Sequence, residues 1–199
     1  SRPRSTPAAC VSPCGEPDAA RSGRADAGPV SVEMALEVLG GVATRAQLVA
    51  ATSRSEVDAA VATQQVLVLS RGRYALAQAG QARRTAHRVS GVLSHFSAAL
   101  HWGWAVKQPP RLPHVMFPRN RKVTAETRAA VTLHRADLGA DDVVDGVTSR
   151  ERTLLDCLRD PDDGAALAVA DSALRDGFSA ARLVGLADAA RGPGGRLAR

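Results

Sequence analysis

The stretch "SRSEVDAAVATQQVLVLSRGRYALA", Ser53 to Ala77, decides how the first half of the chain is read. Ser53 and Glu56 have the S-x-x-E spacing of a capping box, in which each partner satisfies a free backbone N–H at the start of a helix. Val57, Ala60 and Val61 then recur at helical spacing and give that helix one apolar face. "VLVLS" reads as a strand, Arg71-Gly72-Arg73 as a tight turn, and "YALA" as the return strand. The question is whether this is a packed helix and hairpin alone, or the reading head of a DNA-binding module.

The residues upstream extend the pattern. "SVEMALEVLGG" places Val32, Ala35, Leu36 and Leu39 on one face, with Ser31 as the cap and Gly40-Gly41 as the stop. In "ATRAQLVAAT", Thr44 is the expected N-cap, and Leu48 and Val49 supply the buried side. The order is helix, short helix, turn, capped helix and hairpin, the layout of a winged helix-turn-helix over 30–77. Such a module presents the N-terminal end of its second turn helix to the major groove. Here that end carries Ser53, Arg54 and Ser55, and Arg71 and Arg73 flank the wing tip, within reach of phosphate or a minor groove.

Charge is distributed unevenly. The chain carries a formal +6, and its only lysines are Lys107 and Lys122. Arginine suits bidentate contact with phosphate or guanine, although a GC-rich genome would produce the same bias. Between Thr85 and Arg135, Glu126 is the only acid, whereas acids outnumber arginines from Ala136 onward. The basic middle favours an anionic partner; the acidic tail does not.

Residues 1–29 are rich in Pro, Ser, Gly and Ala without hydrophobic period, and are expected to be disordered. Cys10 and Cys14 are at best half of a zinc site, and neither a disulfide nor any other role is assigned to them. No apolar stretch approaches the roughly 20 residues of a membrane span, and no signal peptide is visible, so a cytoplasmic protein is expected. Gln78 to Arg84 reads as a linker. A mixed α/β domain is expected over 85–191, ending in helices, and 192–199 as a linker-like tail. Within that domain, "HRVSGVLSHFSAALHWGWAV" reads as one helix closed by Trp102 and Trp104. "HVMFP" and "VTLHRA" read as strands joined by a basic segment. "VTSRERTLLDCLRD" reads as a helix capped by Ser149 with Leu154, Leu155 and Leu158 as its core stripe.

Few residue patterns in the sequence carry chemistry. There is no G-x-S-x-G, P-loop, H-E-x-x-H or dinucleotide fingerprint. The groups Asp141, Asp142, Asp145 and Asp160, Asp162, Asp163 read as solvated loops and caps, not as a catalytic centre. His114 and His134 tempt a metal reading, but each stands alone on its strand; His95 and His101 do not share a helical face. No enzyme activity, metal or cofactor is expected.

The segments "LGGVATRAQLVAATSRSEVDAAV", "RGRYAL", "LSHFSAALHWGW", "HVMFPRNRKV", "VTLHRADL" and "TSRERTLLDCLRD" together resemble the AbiEi-type antitoxin and transcriptional-regulator family. They look most like a bacterial branch in which this region precedes a very-short-patch-repair-like endonuclease domain. The resemblance implies a winged-helix DNA reader followed by an α/β domain, an α+β fold overall. It implies promoter binding, and opposition to a cognate toxin. Carried over residue by residue, it places Thr44, Gln47, Ser53, Arg54 and Ser55 in the helix-turn-helix and Arg71 and Arg73 in the wing. Arg119, Arg121 and Lys122 fall in a basic segment facing DNA or a partner. The acid-and-lysine core of the nuclease branch is not found, so a regulator is expected. The alternatives are the targeting half of an endonuclease and a toxin-sequestering protein module. Operator and oligomeric state stay open.

Overall fold

The computed structural model describes residues 30–191; the expectations for 1–29, including Cys10 and Cys14, and for 192–199 lie outside the described residues. The fold is mixed helix and strand, an α+β arrangement built around two sheets.

The first sheet is small. Helix α1 (Val32–Val38) starts at Ser31, whose Oγ accepts from the Met34 N–H at 3.1 Å. It stops where Gly40 and Gly41 take positive φ, +76° and +87°, a backbone open to glycine at little cost. Strand β1 (Val42–Thr44) follows, then α2 (Arg45–Ala51), α3 (Arg54–Ala62), β2 (Leu67–Ser70) and β3 (Arg73–Ala75). The strands pair antiparallel in the order β1-β3-β2, with Val42 opposite Ala75 and Thr44 opposite Arg73. β1 was not expected: three residues after a double glycine are too short to show a period of two. Leu36, Leu48, Val57, Val66, Tyr74 and Leu76 close the core between helices and sheet.

The expected linker is structured. Gln81–Arg88 form α4, which packs on all three strands of the first sheet and on β4 (Val92–Leu93) of the second. Its Arg83 is buried and donates to Leu39 O at 3.3 Å and to Asp145 O at 2.6 Å, so one guanidinium ties the two halves together. A run of Gln, Arg and Thr looks like a solvated linker in sequence, yet Ala82, Ala86 and Val89 give α4 an apolar face for the second core.

The long helix expected from His87 onward is interrupted. Ser90 has φ +57° and Gly91 lies so close to Val115 and Phe117 that a Cβ would overlap the Val115 side chain. The chain turns there into β4 and restarts as α5 (His95–His101). β5 (His114–Phe117), α6 (Ala125–Ala130) and β6 (Thr132–Arg135) form a parallel strand pair with a short helix inside the basic segment. A 3₁₀ turn at Ala140–Asp142 leads to β7 (Val143–Val144) and β8 (Val147–Thr148). Asp145 and Gly146 make their hairpin with φ of +48° and +78°, the signature of a two-residue Asp-Gly turn. The second sheet runs β6-β5-β4-β8-β7.

Helices α7 (Arg150–Leu158), α8 (Asp163–Arg175) and α9 (Ala180–Arg191) follow, and α5 packs with them over Trp104, Leu154, Cys157, Val169 and Ala173. Ser149 caps α7 by accepting from Arg152 N–H at 3.3 Å, and Asp162 caps α8 by accepting from Ala165 N–H at 3.1 Å. The buried face of α7 is Thr153, Leu154, Asp156 and Cys157, not a Leu154-Leu155-Leu158 stripe. The face is half polar because Thr153 and Asp156 have partners inside the protein. Thr153 shares a 2.7 Å hydrogen bond with Thr148, and Asp156 pairs with Arg152.

Candidate nucleic-acid interface and a buried histidine cluster

The residues expected to touch DNA divide into spent and available groups. Thr44 and Gln47 form a complete capping box: Thr44 N–H donates to Gln47 Oε1 at 2.9 Å, and Gln47 N–H donates to Thr44 Oγ1 at 3.3 Å. Their polar atoms serve α2. Ser53 caps α3 by accepting from Glu56 N–H at 3.2 Å. Glu56 does not reach back to the Ser53 backbone; it accepts from the Ser53 hydroxyl at 2.7 Å. Arg54 and Ser55 are exposed at the first turn of α3, and Arg54 has no ion-pair partner among the described residues. Along the same exposed side lie Asp58, Ala59 and Ala62, and Asp58 is held by Arg45 of α2 at 2.6 Å. The opposite side, Val57 and Ala60, is buried. α3 therefore presents Ser55, Ala59, Ala62, one unpaired guanidinium and the Arg45-paired carboxylate of Asp58 to solvent.

At the hairpin the two arginines part company. Arg71 is exposed at the tip, beside Gly72 with φ +71°. Arg73 turns inward: it is half-buried, with Nη1 3.5 Å from His87 Nδ1 of α4. Burial and the nearby Arg121 charge both depress its pKa. Arg71 and Arg73, expected alike as wing contacts, thus differ in exposure, Arg73 lying against α4 and Arg71 standing free at the tip. Arg121 is likewise engaged, donating to Ser90 O and, at 2.9 Å, to Val89 O, and lying 5.1 Å from the Phe117 ring centroid. Arg119 pairs loosely with Asp137 at 3.7 Å. Lys122 and Arg88 are exposed and unpaired among the described residues.

The acid groups are not simply solvated. Asp142 accepts from Arg152 at 3.1 Å, and Asp162 pairs with Lys107, 55 residues upstream, at 3.1 Å. Sequence spacing separates that lysine from the acids; the turn after α7 brings them together.

The histidines give the largest departure from the sequence reading. His114 and His134 are not isolated. Adjacent parallel strands place them on one face of the sheet, with His114 Nδ1 3.0 Å from His134 Nε2. His95, the first residue of α5, stacks on His134 with ring centroids 3.5 Å apart. Burial pushes His95 down to about 2, helped by the His134, His114 and Arg152 charges. Burial and His114 push His134 down to about 4. All three rings are therefore neutral at pH 7. The unfolded chain takes up these protons below the ordinary histidine value of about 6.5, and the folded chain does not. Stability consequently rises with pH across the window from about 4 to about 6.5. Thermal melts taken at descending pH are expected to show a progressive loss below pH 6.5, less steep in His134→Gln. A wild-type melting temperature that stays flat across that range rules the assignment out.

No family model matches the chain, and no curated protein matches it. Among the described residues, no helix is long and apolar enough to cross a membrane.

Proposed function

We propose that the protein is a DNA-binding transcriptional regulator, antitoxin-like, whose residues 30–77 act as a winged helix-turn-helix. The reading rests on one observation above the others. α3 follows α2 after a short turn, buries Val57 and Ala60, and leaves Arg54 and Ser55 exposed at its N-terminal end. In the helix-turn-helix mode those positions face base edges. Ala59 and Ala62 beyond them are small enough to let the helix lie close in a groove. Arg71 at the hairpin tip is the phosphate anchor; Arg73 is a packing residue.

The hypothesis separates two substitutions. Arg54→Ala is expected to lower affinity for the operator by about 1–3 kcal/mol and to relax discrimination at one base pair. Arg71→Ala is expected to weaken all duplexes alike and to reduce the salt slope by about one charge. Fluorescence anisotropy on a duplex from the chain's own upstream region and on a scrambled duplex, at several salt concentrations, checks both. Equal binding by wild type and the Arg54→Ala/Arg71→Ala pair sinks the interface.

One observation favours a second reading, a module that binds and sequesters a toxin protein. Residues 30–77 balance Arg45, Arg54, Arg71 and Arg73 against Glu33, Glu37, Glu56 and Asp58, so the reading head has no net charge of its own. Non-specific DNA affinity would then depend on Arg88, Lys122 and their neighbours outside it. Co-purification with a neighbouring gene product, together with no DNA shift at low salt, selects this reading. A nuclease reading frame directly downstream would instead select the targeting half of an endonuclease.

A further inference from the structure

We propose that His95, His114 and His134 form a binding site for a single divalent transition metal ion, Zn²⁺, with one coordination position open. One nitrogen from each ring lies within 4.8 Å of the others. A tetrahedral zinc bound at about 2.0–2.1 Å would hold its nitrogen ligands roughly 3.4 Å apart. The His114–His134 pair, at 3.0 Å, is already close to that spacing. His95 lies stacked on His134 with ring centroids 3.5 Å apart, and because an imidazole lone pair lies in the ring plane, the His95 ring must turn out of that stack to reach the ion.

Three elements supply the three rings, and hydrogen bonds between those elements fix where the rings meet. Strand register sets His114 and His134, since Met116 lies opposite His134 and His114 opposite Thr132 on neighbouring strands. α5 is tied to β5 at the cluster itself: Ser94 N–H donates to His114 O at 3.0 Å, and His114 N–H donates to Ser97 Oγ at 2.9 Å. His95 has φ +48°, a left-handed conformation at the first position of a helix. Such strain persists where the surroundings over-determine it, and it gathers at ligand clamps. Ser94 Oγ stands 3.1 Å from His95 Nδ1 and leaves Nε2 for a ligand. An outer hydrogen bond of this kind orients metal-binding histidines.

The donor set chooses the ion. Three imidazoles with no carboxylate among them do not suit Ca²⁺ or Mg²⁺, which require oxygen. They suit zinc and its neighbours in the first transition row. Three histidines plus an open position is the ligand count of an open zinc site, not of a closed structural one. His114 borders a cleft of about 320 Å³ that Phe96, Lys107, Asp160 and Asp162 also line. Arg152, whose charge also acts on His95, is paired with Asp142 and Asp156 at 3.1 and 2.9 Å. This site is on the second sheet, away from α3, so it stands or falls separately from the DNA reading.

The test uses the full chain, without an affinity tag and with Cys10→Ser/Cys14→Ser to remove the thiols of the N-terminal segment. After treatment with chelator it is titrated with ZnCl₂ by calorimetry and with CoCl₂ by visible absorption. One equivalent of zinc is expected to bind, and cobalt to give the intense bands of a four-coordinate site. His95→Gln, His114→Gln and His134→Gln should each weaken zinc binding by more than about 100-fold, and Ser94→Ala by about 10–100-fold. His101→Gln should leave it unchanged, and far-UV circular dichroism confirms that each variant is folded. Absence of stoichiometric binding overturns the proposal. So does binding that survives in a folded His114→Gln/His134→Gln variant, where the histidine pair would be a packing contact only.

Discussion

Replacing Arg152 with Ala is expected to destabilise the protein by about 3–5 kcal/mol, the usual loss when a buried charge is stripped of its partner. The Arg152 side chain is 11% exposed and that of Asp156 4%, and they meet at 2.9 Å one helical turn apart on α7. Asp142 completes the group from the 3₁₀ turn at 3.1 Å. Burial raises the Asp156 pKa, and Arg152 acts against that rise through its charge and hydrogen bond. Arg152 holds Asp156 Oδ1, and Asp156 Oδ2 has no hydrogen-bond partner among the described residues, so removal of the guanidinium leaves a carboxylate in the core with nothing to solvate it. Urea denaturation gives the measurement. The double variant Arg152→Met/Asp156→Leu should recover most of the loss, because replacing both charges removes the desolvation penalty along with the attraction. Asp142→Asn should cost far less, since Asp142 keeps access to water. A loss under about 1 kcal/mol for Arg152→Ala, the value of a surface pair, would mean that the network does not anchor α7.

Trp104→Ala is expected to cost a similar amount, about 3–5 kcal/mol, by leaving a cavity where α5, α7 and α8 meet. Trp104 is 1% exposed and is the largest fully buried side chain among the described residues. Its Nε1–H donates to Asp176 at 3.1 Å, and Asp176 pairs with Arg150 at 2.9 Å. The Arg150 guanidinium stands 5.7 Å from the ring centroids of both Trp104 and Trp102. The other buried residues of this core are Ala99, Leu154, Cys157, Val169 and Ala173, and Phe178 stands edge-on to the Trp104 ring with centroids 6.4 Å apart. Scanning calorimetry should show a fall of about 10 °C. Trp104→Phe should keep most of the packing and lose the hydrogen bond, a smaller step. A melting temperature for Trp104→Ala within about 2 °C of wild type would show that the cavity closes.

The sequence determined what is local. Ser31, Thr44, Ser53, Ser149 and Asp162 each open a helix where their spacing to the following residues put one. A cap is decided within four residues, as is an apolar face, so both are written in adjacent letters. The hairpin tip at Arg71-Gly72 was legible for the same reason, and so was the exposure of Arg54. What tertiary structure decided was everything carried by contacts across longer separations. β1 and β4 are three and two residues long and exist because partners distant in sequence complete their hydrogen bonds. Arg73 and Arg71 are equivalent in the sequence and differ only because α4 lies against one of them. His95, His114 and His134 come from a helix and two strands, and nothing in their spacing joins them. Their meeting is set by the register of two parallel strands and by the docking of α5, free-energy terms that belong to the assembled core and not to any short segment of chain.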